Sequence, residues 1–254
     1  MKSHNLPMLK MLIIASAFLT GTGSSTAAEL TADEVRGLLA AHQGGTAPDL
    51  SNKDLSGLDL ANVDFRGANL AGANLKRANL AGADLSNTLI DLAIMRGANL
   101  TGAKLRNASA FSTILAEADL TGADLAGAKL VCNFENAILN NANLEGAAMG
   151  ADMRNQSMGL MRLSMRNASL HGANLAGADM SRAMLEFADF NGADLAGANL
   201  MRAEAGGADF SGANLDGANF TMADLQGARF RGAKGVDKIV GLDSATNRDL
   251  AVFE

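Results

Sequence analysis

A chain of 254 residues, 48% of them hydrophobic, is long enough to bury a sizeable core in one domain or in a long repeat array. Its 28 glycines, two prolines and lack of tryptophan and tyrosine point to a repeat rather than an ordinary globular enzyme. A formal charge of −6 disfavours nucleic acid and anionic membrane surfaces as partners, and a single cysteine, Cys132, excludes an internal disulfide.

In chain order, residues 1–28 predict a secretory signal. Lys2 and Lys10 precede the apolar run Met11–Leu19, and small residues follow as far as Glu29, so cleavage is expected near Ala27 or Ala28. The run falls short of the roughly 20 residues a membrane span needs. No cysteine follows it to carry a lipid. Removal would leave 19 basic and 27 acidic residues, a charge of −8, on an exported, periplasmic or secreted chain.

Residues 29–47 predict a helical cap. Thr31 and Glu34 have capping-box spacing, Val35, Leu38 and Leu39 form an apolar face, and Gly44-Gly45 ends the segment.

Residues 48–233 then beat in fives. From Leu50 to Leu130 every fifth residue is Leu, Phe, Ile or Met except Ala110, and from Leu160 to Phe230 the same holds except Ala205. Two residues before most of these lies Ala (Ala68, Ala73, Ala78, Ala83), and the position between is usually Asp or Asn (Asp64, Asn69, Asn74, Asp84). Gly often closes the unit, as at Gly67, Gly72 and Gly82. A helix would scatter these leucines by about 140° per unit. A straight strand would throw them onto alternate faces. A chain that bends once per unit at a Gly-rich corner turns every Leu, and the Ala two before it, toward one axis. Phe190, Phe210 and Phe230, spaced by 20, would stack in one column if four units make a turn. One such turn cannot stand alone. Four inward leucines contribute roughly 6–12 kcal/mol, against about 20–40 kcal/mol for ordering twenty backbones. Stacked turns must supply the rest.

"ANLAGANLKRANLAGADL" (Ala68–Leu85) and "ADFSGANLDGANFTMADLQGARF" (Ala208–Phe230) resemble pentapeptide-repeat proteins, whose pattern is A(D/N)LXX. The resemblance covers about residues 50–233. It implies an all-β solenoid, a right-handed quadrilateral β-helix of about nine coils, roughly 45 Å long at 4.8 Å per coil. It leaves function open, because the family is diverse. Some members associated with quinolone resistance are acidic rods that occupy the DNA site of gyrase, and the acidic balance here is compatible with such a DNA mimic. The export signal and the outward Lys104, Lys129 and Arg229 speak against it. Residues 234–254 lose the beat and predict a C-terminal lid of short helical or irregular segments. Ile239, Val240, Leu242, Leu250, Val252 and Phe253 are available there to cover the last coil.

No catalytic constellation appears. His4 lies in the signal, His42 on the cap and His171 in an outward slot, with no nucleophile partner or shared metal geometry. Cys132 fills a small inward slot and reads as a buried structural thiol. No phosphate or Ca²⁺ loop is present. The expectation is therefore a non-enzyme without cofactor, metal or nucleic-acid partner. Met149, Met153, Met158, Met161 and Met165 raise Cu(I) binding, but they lack a neighbouring His or Cys and Met also fills gaps.

The informative departures are apolar residues in outward slots. Leu89, Leu92 and Ile94 replace polar residues; Ile114 stacks on Ile94 and Val131 on Phe111 at a period of 20. These six form a candidate surface for an unidentified protein partner, in an assembly of unspecified number. The competing reading turns Phe111 inward in place of Ala110. Between residues 150 and 167 the beat slips. The frame runs one residue early from Phe134 to Met149 and is regained by Leu160, which requires one extra residue and predicts a compensating bulge or small loop. Either Met153, Met158 and Leu163, or Leu160 and Met165, would face inward. Arg154, Arg162 and Arg166 would form a basic spot, a secondary binding candidate.

Overall fold

The computed structural model describes residues 29–41, 48–151 and 161–254. The expected signal, His42, Gly44-Gly45, Met153, Arg154, Met158 and Leu160 lie outside them.

Every five-residue unit lays down one flat face. Its Ala and Leu point to the axis, as Ala68 with Leu70 and Ala73 with Leu75 do, and both are buried. The Asp or Asn between them faces out and forms a parallel bridge to the residue one turn on. The bridges order the chain into four ladders. Face W runs Asp49, Asn69, Leu89, Ser109; face X runs Asp54, Asn74, Ile94, Ile114. Face Y runs Asp59, Asn79, Asn99, Asp119; face Z runs Asp64, Asp84, Lys104, Asp124. The step is 20 residues, so four units close one turn, and the backbone of each face bonds above and below. Asn74 N–H, for example, reaches Lys53 O at 2.9 Å while Leu75 N–H reaches Ile94 O at 2.7 Å.

The corners explain the Gly and Asx signals. The second residue after the inward Leu turns the chain in the left-handed region at nearly every unit, at φ between +54° and +73°, where Gly and then Asn are tolerated. The outward Asp or Asn stabilises the same corner by accepting from the backbone two residues on. Asn69 Oδ1 takes the Ala71 N–H at 3.1 Å, and Asp54 Oδ1 takes that of Ser56 at 3.0 Å. Asn side chains also donate down the ladders, Asn74 to Asp54 at 2.9 Å and Asn79 to Asp59 at 2.8 Å. The slot that faces water is thus structural.

The core is continuous along the axis. Phe190, Phe210 and Phe230 stack at 5.0 and 5.1 Å with interplanar angles of 5° and 15°, as their spacing predicts. Phe220 meets Phe210 edge-on at 5.5 Å. Thr88 and Thr113 take the Ala slot by donating their hydroxyls to Phe65 O and Ile90 O at 3.1 and 2.6 Å.

Helix α1, Ala32–Ala40, leads into the solenoid, and both halves of its capping box form: Glu34 N–H to Thr31 Oγ1 at 3.3 Å and Thr31 N–H to Glu34 Oε2 at 2.8 Å. Val35 is buried and Leu39 packs on the core, but Leu38 is exposed, so the apolar face is narrower than expected. The C-terminal segment hides a second period. Three one-turn 3-10 helices, Val236–Lys238, Leu242–Ser244 and Arg248–Leu250, each follow a left-handed Gly235, Gly241 or Asn247. These six-residue units carry on faces W, X and Y, where Val240, Thr246 and Val252 pair with Asn219, Asp224 and Arg229. Val236, Ile239, Leu242, Ala245, Ala251 and Phe253 pack on the core, and Phe253 extends the ring stack onto Phe230 at 4.9 Å. Val240, Leu250 and Val252 are exposed, the first and last because they fill outward bridge slots.

Candidate interaction face

Most departures from the repeat fall on face X and the two corners that border it. Its outward slots continue Asn133, Ser164, Met184, Glu204 and Asp224. From Ile94 to Glu204 only Asn133 keeps the Asp or Asn of the pattern.

The six nominated apolar residues come together at the N-terminal half of this face. Ile94 and Ile114 are bridge partners. Leu92, Phe111 and Val131 occupy successive levels of the corner between faces W and X, linked by Leu92 N–H to Phe111 O and Ser112 N–H to Val131 O, both 2.8 Å. Leu89 stands on face W just before that corner. Leu89 is 50% exposed, Leu92 62%, Ile94 39%, Phe111 37% and Ile114 38%, with Val131 half-buried. Ala110 is fully buried, which removes the register that would put Phe111 inside. Leu92 holds its place at φ +61°, where other levels of this corner use Asn52 or Gly72. With Leu in slot 89 that corner has no Asx acceptor of the usual kind. Asp91 serves the next level instead, accepting from Ser109 Oγ and Phe111 N–H, each at 2.8 Å.

The same corner holds both length changes. Ile114 pairs with Asn133, a step of 19, because the corner keeps Val131 alone and Cys132 drops into the Ala slot. Cys132 is buried there, and burial pushes its thiol pKa up. The next turn pairs Asn133 with Ser164, a step of 31, so where a bulge or small loop of one extra residue is expected the chain inserts 11 residues beyond the ordinary turn. Leu163 and Met165 are both fully buried, in the Ala and Leu slots around Ser164. They are consecutive slots of one register, not alternatives.

Of the three arginines expected to form a basic spot, Arg162 and Arg166 are met by carboxylates. Arg162 Nη2 lies 2.7 Å from Glu204 Oε1 in a charge contact that lacks hydrogen-bond geometry, and its Nε donates to Arg182 O at 2.7 Å. Arg166 Nη2 donates to Glu186 Oε1 at 2.8 Å and stands 3.8 Å from Glu204, with Nη1 4.0 Å from Glu135. The Glu186 hydrogen bond holds the Arg166 pKa above its ordinary value. Ser164 Oγ donates to Glu135 Oε1 at 3.0 Å. This is a brace across face X in which two guanidiniums stand among three carboxylates, Glu135, Glu186 and Glu204. Arg154 is outside the described residues.

Sequence reasoning missed Met184 on this face, Met201 and Met222 at the corner between faces W and X, and Phe187 at the corner between faces X and Y. Phe187 and Met222 stand at φ +60° and +57° where the pattern wants Gly, a signal readable once the corner slot is known. Among the described residues no group of three or more His, Cys, Asp and Glu is placed to hold a metal, and no helix is long and apolar enough to cross a membrane. His171 is exposed at a corner, its backbone N–H on Asn140 Oδ1 at 3.0 Å.

The model of pentapeptide repeats matches residues 49–87, 93–131, 132–155, 164–202 and 194–232. Among solved structures, HetL, a pentapeptide repeat protein involved in heterocyst differentiation regulation from the cyanobacterium Nostoc sp. strain PCC 7120, is 33% identical. That match covers 84% of this chain and 95% of HetL, with a TM-score of 0.46. Full-length QnrB1, a plasmid-mediated fluoroquinolone resistance protein, shares the fold at 19% identity, 74% and 91% coverage and a TM-score of 0.56. A pentapeptide repeat protein of the Arabidopsis thaliana thylakoid lumen is 34% identical over 55% of this chain and 70% of its own, with a TM-score of 0.17. Among curated proteins compared by sequence, none matches. The four ladders, the five-residue slots and the repeat matches lead to one conclusion: this chain belongs to the pentapeptide-repeat family.

Proposed function

We propose that the protein is a non-catalytic, exported scaffold: a rod of nine coils between a helical cap and a C-terminal lid, binding a protein partner through face X. The observation that carries this reading is the gathering of Leu89, Leu92, Ile94, Phe111, Ile114 and Val131, all in slots that the repeat otherwise fills mostly with polar or small residues. An exposed apolar patch of that kind marks an interaction site more often than a structural need. The charged start, the apolar run Met11–Leu19 and the small residues before Glu29 support export to the periplasm or beyond.

Little supports the alternative of a DNA mimic acting on an enzyme such as gyrase. Among the described residues no ladder carries more than two carboxylates in succession, and Lys104 separates Asp84 from Asp124. The test combines fractionation with a photo-crosslinker. Benzoylphenylalanine at position 112, on the patch, should trap a protein in the exported fraction, and the same probe at position 101, on the corner between faces Y and Z, should not. Equal crosslinking at both positions, or an uncleaved cytoplasmic chain crosslinked to a DNA-handling enzyme, would overturn the reading.

A further inference from the structure

A second site lies further along face X, at the corner it shares with face Y, and involves none of the apolar patch. Phe187 stands there at φ +60°, a residue 69% exposed. One turn on, the corner is Gly206-Gly207, the one Gly-Gly pair among the solenoid corners described, and the ring lies across it. A Cβ on Gly207 would come within 2.6 Å of Phe187 Cδ1 and Cε1. The ring is therefore bedded on bare backbone, with its other side toward solvent.

Around it runs a groove of about 910 Å³ lined by five carboxylates, Glu204 and Asp224 from face X, Asp189 and Asp209 from face Y and Glu186 beside the ring, together with Arg229, Gln226 and small corner residues. The charges that face these groups leave a surplus. Arg229 is 3.7 Å from Asp209; Arg166 serves Glu186 and Glu204; Arg162 touches Glu204. Among the described residues three guanidiniums stand against these five carboxylates. Glu186 Oε2 is buried without a hydrogen-bond donor.

We propose that this groove takes an arginine side chain of a protein partner, the guanidinium lying on the Phe187 ring and hydrogen-bonding the flanking carboxylates. An aromatic face attracts cations, and the planar guanidinium both stacks on a ring and forks onto a carboxylate, which an ammonium cannot do. The charge surplus selects a cation over an anion or an apolar group. The exposed ring distinguishes this corner from the acidic slots repeated elsewhere on the rod.

The experiment uses the full chain and two acetylated, amidated peptides, one carrying two arginines and one two lysines, followed by backbone amide shifts in low salt. The arginine peptide should shift Gly206, Gly207 and Gly227 saturably and bind more tightly than the lysine peptide. Phe187→Ala should weaken the arginine peptide about fivefold. Phe187→Tyr should keep its affinity. Phe187→Asn, suited to a left-handed corner, serves as a second loss variant whose melting temperature is not expected to fall. Affinity unchanged in Phe187→Ala and Phe187→Asn, or shifts of equal size at Asp59 and Asp119, would show general attraction to an acidic rod and overturn the site.

Discussion

Returning the patch to the repeat consensus tests whether its apolar residues serve binding or the fold. In the triple variant Leu92→Asn, Ile94→Asn and Ile114→Asn, the energies can be worked slot by slot. The isoleucines are 39% and 38% exposed, so about three-fifths of each side chain is lost from cover, costing about 1–1.5 kcal/mol apiece. Leu92, 62% exposed, adds less than about 1 kcal/mol. Against this, Asn in slots 94 and 114 would accept from the backbone two residues on and join the ladder between Asn74 and Asn133, regaining about 1 kcal/mol each. Asn at 92 relieves a Leu held at φ +61°, worth about 1 kcal/mol. The two sides cancel to within about 1 kcal/mol, a shift in melting temperature of at most about 4 °C. On the proposed reading of the patch as an interface, partner capture by affinity purification, compared with wild type, should fall at least 30-fold for the loss of central apolar anchors. A melting temperature lowered by more than about 10 °C would show that these residues are core, and undiminished capture would show that the patch is not the interface. Phe111→Ser makes a poorer probe, because the ring is nearly two-thirds covered and its loss alone costs about 2–3 kcal/mol.

Other consequences follow from the same geometry. Cys132, buried with its thiol pKa raised, should not react with Ellman's reagent at pH 8 until the chain is unfolded; stoichiometric labelling of the native protein would contradict its place in the core. Hydrogen bonds from Ser51, Ser56 and Arg66 hold Asp49, Asp54 and Asp64 below the ordinary carboxylate range, and the Thr31 backbone N–H does the same for Glu34. Groups whose folded pKa is depressed stabilise fully above the unfolded value, so thermal stability should be level from about pH 5 to 8 and fall as acid passes below about 4. Phe253→Ala removes the last ring of the stack and should cost about 2 kcal/mol by thermal denaturation, whereas Leu250→Ala, on an exposed residue, should change stability by less than about 0.5 kcal/mol. Gly235→Ala forces a Cβ to within 2.8 Å of the Asp216 backbone at φ +70° and should destabilise the C-terminal turn, seen as faster exchange of the Val240 amide.

Much of the fold was legible because inward and outward slots differ in chemistry. Ala and Leu two apart, with Asx between and Gly at the corner, leave little freedom once the chain must bend every five residues, and the Phe spacing supplied the four-fold turn. The C-terminal units were harder to see. They keep the logic of an inward apolar residue after a left-handed corner, but each is six residues long, so Gly235, Gly241 and Asn247 fall out of the five-residue frame. Phe187 was hidden for a different reason. Its oddness lies in its corner slot and in Gly206-Gly207 one turn later, a relation visible only when residues 20 apart are placed side by side.

The misjudged insertion shows what a periodic reading measures. Fives were followed along the chain, and a step of 19 followed by one of 31 restores them, because the one residue lost and the eleven gained differ by ten, two whole units. The regained beat therefore gave no information about the length of the departure. Nor does the solenoid require the beat to return. Each face is held by pairing with the faces above and below, so a corner can shorten to Val131 or take in eleven residues provided that Cys132 and Leu163 resume the inward slot. Corners are where this architecture tolerates length, and faces are where it does not. That both changes fall on consecutive levels of one corner, directly after Leu92 and Phe111, places the freedom of the chain beside its exposed apolar residues. A repeat kept for stability alone gives no reason for that coincidence, whereas a binding surface built at one edge of the rod does.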